Sequence, residues 1–165
     1  MKPAWVSMAL LFTASVALAD SPDSSFIKSA AEGGMSEVEL GQLAQQKAMN
    51  PAVKGFGAMM VKDHTAANEK LKALAATKQV GLPDSPSVMQ KASKAKLDMM
   101  SGDSFDTSYV KGMIDDHKDD IKEFQKEAAD GKDPQVKAFA AATLPTLKMH
   151  LKKIQSIAAT AGIKD

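Results

Sequence analysis

The chain has 165 residues, 44% hydrophobic and 25% charged, with a formal net charge of +1 and no cysteine. Dispersed, balanced charge gives no electrostatic footprint for nucleic acid, and without cysteine there is no disulfide staple, so stability must come from a packed core or from a core plus a metal. The length suits one domain, able to bury about two thirds of the surface its unfolded chain exposes.

Residues 1–19 read as a secretory signal. Lys2 supplies the positive start, Ala4 to Val16 is almost entirely apolar or small, and Ala17-Leu18-Ala19 fits the small-x-small cleavage rule. Cleavage after Ala19 leaves 146 residues, 20–165, as a single domain with a net charge near zero. This mature chain is expected to be periplasmic or secreted. No later stretch approaches the roughly 20 apolar residues of a membrane helix. Nothing in the sequence indicates a protein partner, and a homo-oligomer stays open.

Four long helices follow from apolar periodicity and its punctuation. The first, 25–49, carries Ile27, Ala30, Gly34, Glu37, Val38, Gly41 and Ala44 along one side. Its paired Gly33-Gly34 is costly in a helix and points to close helix packing. The second, 51–79, opens at Asn50-Pro51, a cap followed by proline in the first turn, and carries Val53, Phe56, Met60, His64, Ala67, Leu71 and Leu74, with Gly81 as its expected stop. The segment 82–103 is too long for a tight turn. Ser85-Pro86 starts a short helix through Met100 there, which makes the segment a crossover. The third long helix, 104–130, turns Val110, Met113, His117, Ile121, Phe124 and Ala128 inward. The fourth, 134–161, opens at Asp133-Pro134 and carries Val136, Phe139, Thr143, Leu147, His150, Ile154 and Ile157. Pro145 within it is expected to kink the helix.

An internal repeat supports this layout. Asn50-Pro51-Ala52-Val53-Lys54-Gly55-Phe56 matches Asp133-Pro134-Gln135-Val136-Lys137-Ala138-Phe139, and Leu74 to Thr77 meets Ile157 to Thr160 at the same offset. Carried backwards, that offset lays Phe26-Ile27-Lys28 on Tyr109-Val110-Lys111. The chain is thus expected to be all-α, a ferritin-like four-helix bundle built from two duplicated helical hairpins joined by the crossover.

The only three histidines, His64, His117 and His150, fall on the apolar stripes of three different helices, and Glu37 holds the comparable place on the fourth. Counting along the helices puts all four near mid-bundle, within several ångströms of one level at about 1.5 Å per residue. Imidazole and carboxylate suit zinc, iron, manganese or copper, so one transition-metal ion at His64, His117, His150 and Glu37 is one reading, with Asp120 added from one turn beyond His117. Asp63, Asp116 and Asn68 are candidate partners that would fix histidine tautomers. The other reading is a polar layer that sets helix packing without metal. Met149 beside His150 suggests Cu(I), although methionine at helical spacing is usually adaptable core filler. The histidines are not repeated: His64 aligns with Leu147 and His150 with Ala67, which favours one irregular site or none.

Gly33-Gly34-Met35-Ser36-Glu37-Val38-Glu39-Leu40-Gly41-Gln42-Leu43-Ala44, then Met60-Val61-Lys62-Asp63-His64 with Asn68, resembles the signature of the secreted bacterial family called domain of unknown function 4142. Phe105-Asp106 with Tyr109, Asp116-His117, Phe124, Leu144-Pro145 and His150-Leu151 are similar in the second half. The resemblance implies a ferritin-like four-helix bundle in the periplasm or cell envelope, without a defined activity. Di-iron bundles resemble one another through Glu-x-x-His motifs, and no such motif occurs here. No nucleophile constellation occurs either, so a non-catalytic protein is expected.

Overall fold

A computed structural model describes residues 21–164, and the expected signal segment 1–19 lies outside them. Among the described residues there are five helices and no strand: α1 (Pro22–Lys47), α2 (Pro51–Lys78), α3 (Val88–Asp98), α4 (Gly102–Asp130) and α5 (Pro134–Ala161). Helix α1 starts three residues before its expected position because Ser21-Pro22 repeats the cap-proline device, with Ser21 and Ser24 forming a capping box. The crossover helix α3 is shorter than expected and starts at the Ser87 cap. Helix α5 continues through Pro145 to Ala161.

Helix α1 packs against α2 and α4, and α5 against α4 and α2. Asp23 at the start of α1 meets the α4–α5 turn, and Asp106 at the start of α4 meets the α1–α2 turn. Every neighbouring pair is therefore antiparallel, while α2 and α4 run parallel on a diagonal. A chain leaving the foot of α2 must climb the whole bundle to begin α4. The crossover does so over α1 and α4, tied by the Lys94–Glu39 and Lys47–Asp98 ion pairs and by buried Leu97.

The two turns are held by one device used twice. Asp106 accepts from the backbone N–H of Met49 at 3.2 Å and of Asn50 at 2.7 Å. Asp23, fully buried, accepts from Lys132 N–H at 3.0 and 3.1 Å and from Asp133 N–H at 2.6 Å. Each carboxylate thus sits at the positive N-terminus of a helix in the other hairpin. Asp106 also explains why α1 ends at Lys47, two residues early: the next N–H groups are drawn away from the helix ladder. Donors and acceptors in the two clamps are related by the repeat offset. So are the ends of α2 and α5, where Gln79 (φ +57) and Gly162 (φ +69) adopt the left-handed conformation and Val80 N–H and Ile163 N–H return to the Ala75 and Ala158 carbonyls. The stop of α2 is Gln79, ahead of the expected Gly81.

Backbone approaches backbone at Gly41 and Gly57, and of the Gly33-Gly34 pair only Gly34 is closely packed, against the Asn68 side chain of α2. A Cβ added at Gly41 or Gly57 would lie 2.7 Å from the other's carbonyl oxygen, whereas one at Gly33 would meet nothing within 4 Å.

Asp106→Asn should lower stability to urea by about 2 kcal/mol, because an amide turns a donor toward a backbone N–H, while Asp103→Asn on the exposed surface should stay within about 0.5 kcal/mol. Gly41→Ala should cost more than about 1 kcal/mol by overpacking, whereas Gly33→Ala should gain roughly 0.5–1 kcal/mol from helix propensity.

Candidate metal centre

The bundle has two apolar cores with a polar layer between them. Phe56, Met60, Phe105, Tyr109 and Met113 belong to the core at the α1–α2 turn, and Phe26, Leu71, Phe124, Val136 and Leu147 to the one at the opposite end. His64 from α2, His117 from α4 and His150 from α5 lie at mid-bundle with Glu37 from α1, all four buried. The axial register imposed by the two aspartate clamps brings these mid-helix positions to one level.

The three rings form a compact triangle, with centroids 5.4 to 5.9 Å apart, and one nitrogen from each lies within 4.8 Å of the others. Phe56 closes one side, its ring edge-on to both His117 and His150. Hydrogen bonding fixes two tautomers. His117 Nδ1 lies 2.9 Å from the Met113 carbonyl, which only accepts, so Nδ1 carries the proton. His150 Nε2 lies 2.9 Å from Asp63 Oδ2 and donates to that carboxylate. In the neutral rings the remaining nitrogens, His117 Nε2 and His150 Nδ1, are then bare lone pairs facing each other at 3.4 Å. His64 Nε2 is buried with no hydrogen-bond partner.

Burial, reinforced by the neighbouring imidazoles, drives His64 down to about 3 and His117 to about 4, the Met113 carbonyl opposing the latter. Burial also lowers His150, against the pull of Asp63. The rings are therefore neutral at ordinary pH, and no proton relieves the facing lone pairs. Around this neutral centre the carboxyls move the other way. Burial and the charges of Asp120 and Asp116 raise Glu37 well above its ordinary range. Burial and the Asp116, Glu123 and Asp119 carboxylates push Asp120 up to about 7.

Of the residues singled out by sequence, the three histidines are brought together. Glu37 Oε1 approaches the protonated Nδ1 edge of His117 at 3.9 Å, and Glu37 is not part of the 4.8 Å cluster. Asp120 lines the cavity beside His64 and His150. Asp63 is the tautomer-fixing partner anticipated for it, whereas Asp116 is exposed and Asn68 packs over Gly34, occupying the space that glycine leaves. Sequence reasoning missed the Met113 carbonyl, a backbone group one turn before His117. It also missed the Tyr109 hydroxyl, buried without a partner.

Fold and site together define a ferritin-like helical bundle with a buried histidine triad. The chain belongs to the family described as domain of unknown function (DUF4142), whose sequence model matches residues 9–157. No curated protein matches it. Among solved structures it is similar to a DUF305 protein of Streptomyces coelicolor, with 13% identity, TM-score 0.74, and coverage of 88% of this chain and 97% of that one. A DUF305 fragment from Deinococcus radiodurans shows 13% identity, TM-score 0.73, and coverage of 86% and 98%. CopM in its Cu(I)-bound form shows 16% identity, TM-score 0.70, and coverage of 84% and 96%. At these identities the likeness is one of fold.

With a chelator present, the histidines should make stability fall as pH drops below 6.5, since unfolded histidine binds a proton there while His64 and His117 stay neutral down to about 3 and 4. Glu37 and Asp120 act oppositely, because the fold holds protons that the unfolded chain releases above about pH 4, so their contribution declines as pH rises. His64→Leu, which copies the repeat counterpart Leu147, isolates one histidine. Relative to wild type it should gain roughly 1 kcal/mol per pH unit between 6.5 and 4 in urea unfolding. A difference independent of pH would show that His64 is not held neutral by the fold.

Proposed function

We propose that this protein is an exported, non-catalytic bundle that holds one transition-metal ion on His64, His117 and His150. The supporting observation is the convergence of three imidazole nitrogens, two of them bare and facing at 3.4 Å, in a core that keeps the rings unprotonated. Lone pairs so placed repel one another unless a cation lies between them. Metal–nitrogen bonds of about 2 Å place ligand nitrogens about 3.3 Å apart, close to the 3.4 Å between His117 and His150. The chemistry of the ligands suits zinc or copper, and the fold is shared with CopM, a protein solved with Cu(I) and with Cu(II). Glu37 and Asp120 supply nearby carboxyls that are available to balance the charge of an ion.

The signal-like residues 1–19 support export, and no helix among the described residues is long and apolar enough to cross a membrane. The absence of Glu-x-x-His and of a paired nucleophile supports holding an ion over chemical turnover.

Protein isolated from its native compartment should carry one equivalent of metal by elemental analysis. A variant with all three histidines changed to alanine should carry none. Adding the ion at 100 times its Kd should stabilise the wild type by about 2.7 kcal/mol, or roughly 8 °C in Tm, and leave the variant unmoved. Equal metal content and equal Tm in the two proteins would reduce the triad to a packing layer.

A further inference from the structure

Two cavities share a wall beside the triad. One, of about 40 Å³, lies inside the bundle against His64 and His150. The other, of about 260 Å³, is a surface groove between α2 and α5 that includes Met149. Five residues, Asp63, Ala67, Phe139, Thr143 and Thr146, line both, so a single wall of side chains separates solvent from the inner chamber. Within that wall Asp63 has its side chain 25% exposed on one side and bonded to His150 Nε2 on the other. On the groove, Met149 is 47% exposed, one of five large hydrophobic side chains left in solvent among the described residues. Its neighbour in sequence, His150, is fully buried. An amphipathic helix ordinarily places lysine or glutamate at such a position, and methionine gains little there from burial.

The groove does not attract cations by its field, since Lys70 and Asp63 offset each other along it. Capture must come from coordination, and the thioether of Met149 selects a soft ion, Cu(I), over hard or borderline divalent ions. We infer that the α2–α5 groove is the route by which Cu(I) reaches the triad, with Met149 as the capture ligand at its mouth and Asp63 as the swinging side chain between mouth and chamber. This inference rests on the triad being a metal site and adds the identity of the cargo and its path. The transfer is a ligand exchange at constant oxidation state: the copper–sulfur bond to Met149 breaks as copper–nitrogen bonds to His150 and then to the other imidazoles form. No electron moves. Movement of Asp63 frees His150 to turn as the ion passes.

The test follows loading over time. The full mature protein, under anaerobic conditions with ascorbate, is mixed with the Cu(I)–bicinchoninate complex, and loss of the chelate's colour is recorded by stopped flow. Met149→Leu keeps the shape and exposure of the side chain but removes its sulfur. It should slow Cu(I) uptake about tenfold, leaving the final amount of copper bound and the rate of Zn(II) uptake unchanged. Ala66→Trp, which fills the groove from its exposed wall, should slow both ions. Wild-type Cu(I) rates in Met149→Leu would overturn thioether capture, and wild-type rates in Ala66→Trp would overturn the route. Should the triple histidine-to-alanine variant take up as much copper as wild type, the triad reading itself fails, a result separable from the first two because those compare rates at a common end point.

Discussion

The two buried aspartates that clamp each hairpin to the turn of the other are the constraint on which the rest of the structure depends. Each hairpin alone is a pair of amphipathic helices with an open apolar face, and apolar faces slide. Dispersion and the hydrophobic effect reward contact area with little regard for axial register. A carboxylate that accepts two directed backbone N–H bonds has no such tolerance, because a shift of a few ångströms would leave a charge and two donors buried and unpaired. Asp23 and Asp106 therefore turn a loose pairing of hairpins into one with a single register. His64, His117 and His150, each near the middle of a long helix, meet only in that register.

The histidine layer divides the core in two, and its polar groups are incompletely satisfied. The Met113 carbonyl and Asp63 each fix a ring, but His64 Nε2, Glu37 Oε2 and the Tyr109 hydroxyl are buried without partners. A layer serving only to register four helices would be expected to close its own hydrogen bonds, since half-satisfied buried networks cost more than an apolar core. Local departures of this kind, in a molecule whose caps, turns and helix ends otherwise agree with its sequence, mark the place where function is to be sought.

The duplication shows how such a site can arise. The clamps, the caps that open α2 and α5 and the C-terminal ends of the long helices correspond at one offset, whereas α1 opens on the Ser21 capping box and α4 at Ser101 without a side-chain cap bond. The triad has no such correspondence. Position 64 is histidine in one copy and Leu147 in the other, His150 faces Ala67, and His117 corresponds to Gly34, over which Asn68 packs. The scaffold kept its two-fold pattern while the centre lost it. The result is three imidazoles from three helices, with the fourth helix contributing Glu37 at the far edge of one ring. This arrangement lacks the paired glutamates of a symmetric two-metal centre.

Helices, their caps and the hairpin duplication were legible in the sequence because they are local: a proline after Asn50 or Asp133, an apolar residue every third or fourth position, and a repeat of constant offset each act over a few residues. So was the level of the histidines, since the rise of a helix converts residue counts into distance. The clamps were readable in principle, as Asp23 and Asp106 sit one repeat apart, but what they bond lies more than 50 residues away, and periodicity carries no information on such partners. The direction of the second hairpin, the close approach at Gly41 and Gly57, the assignment of tautomers by a carbonyl and a carboxylate, and the meeting of groove and chamber at Asp63 were settled only by tertiary structure. These depend on where side chains of different helices stand relative to one another. One chain's sequence determines that placement only through the packed and hydrogen-bonded whole.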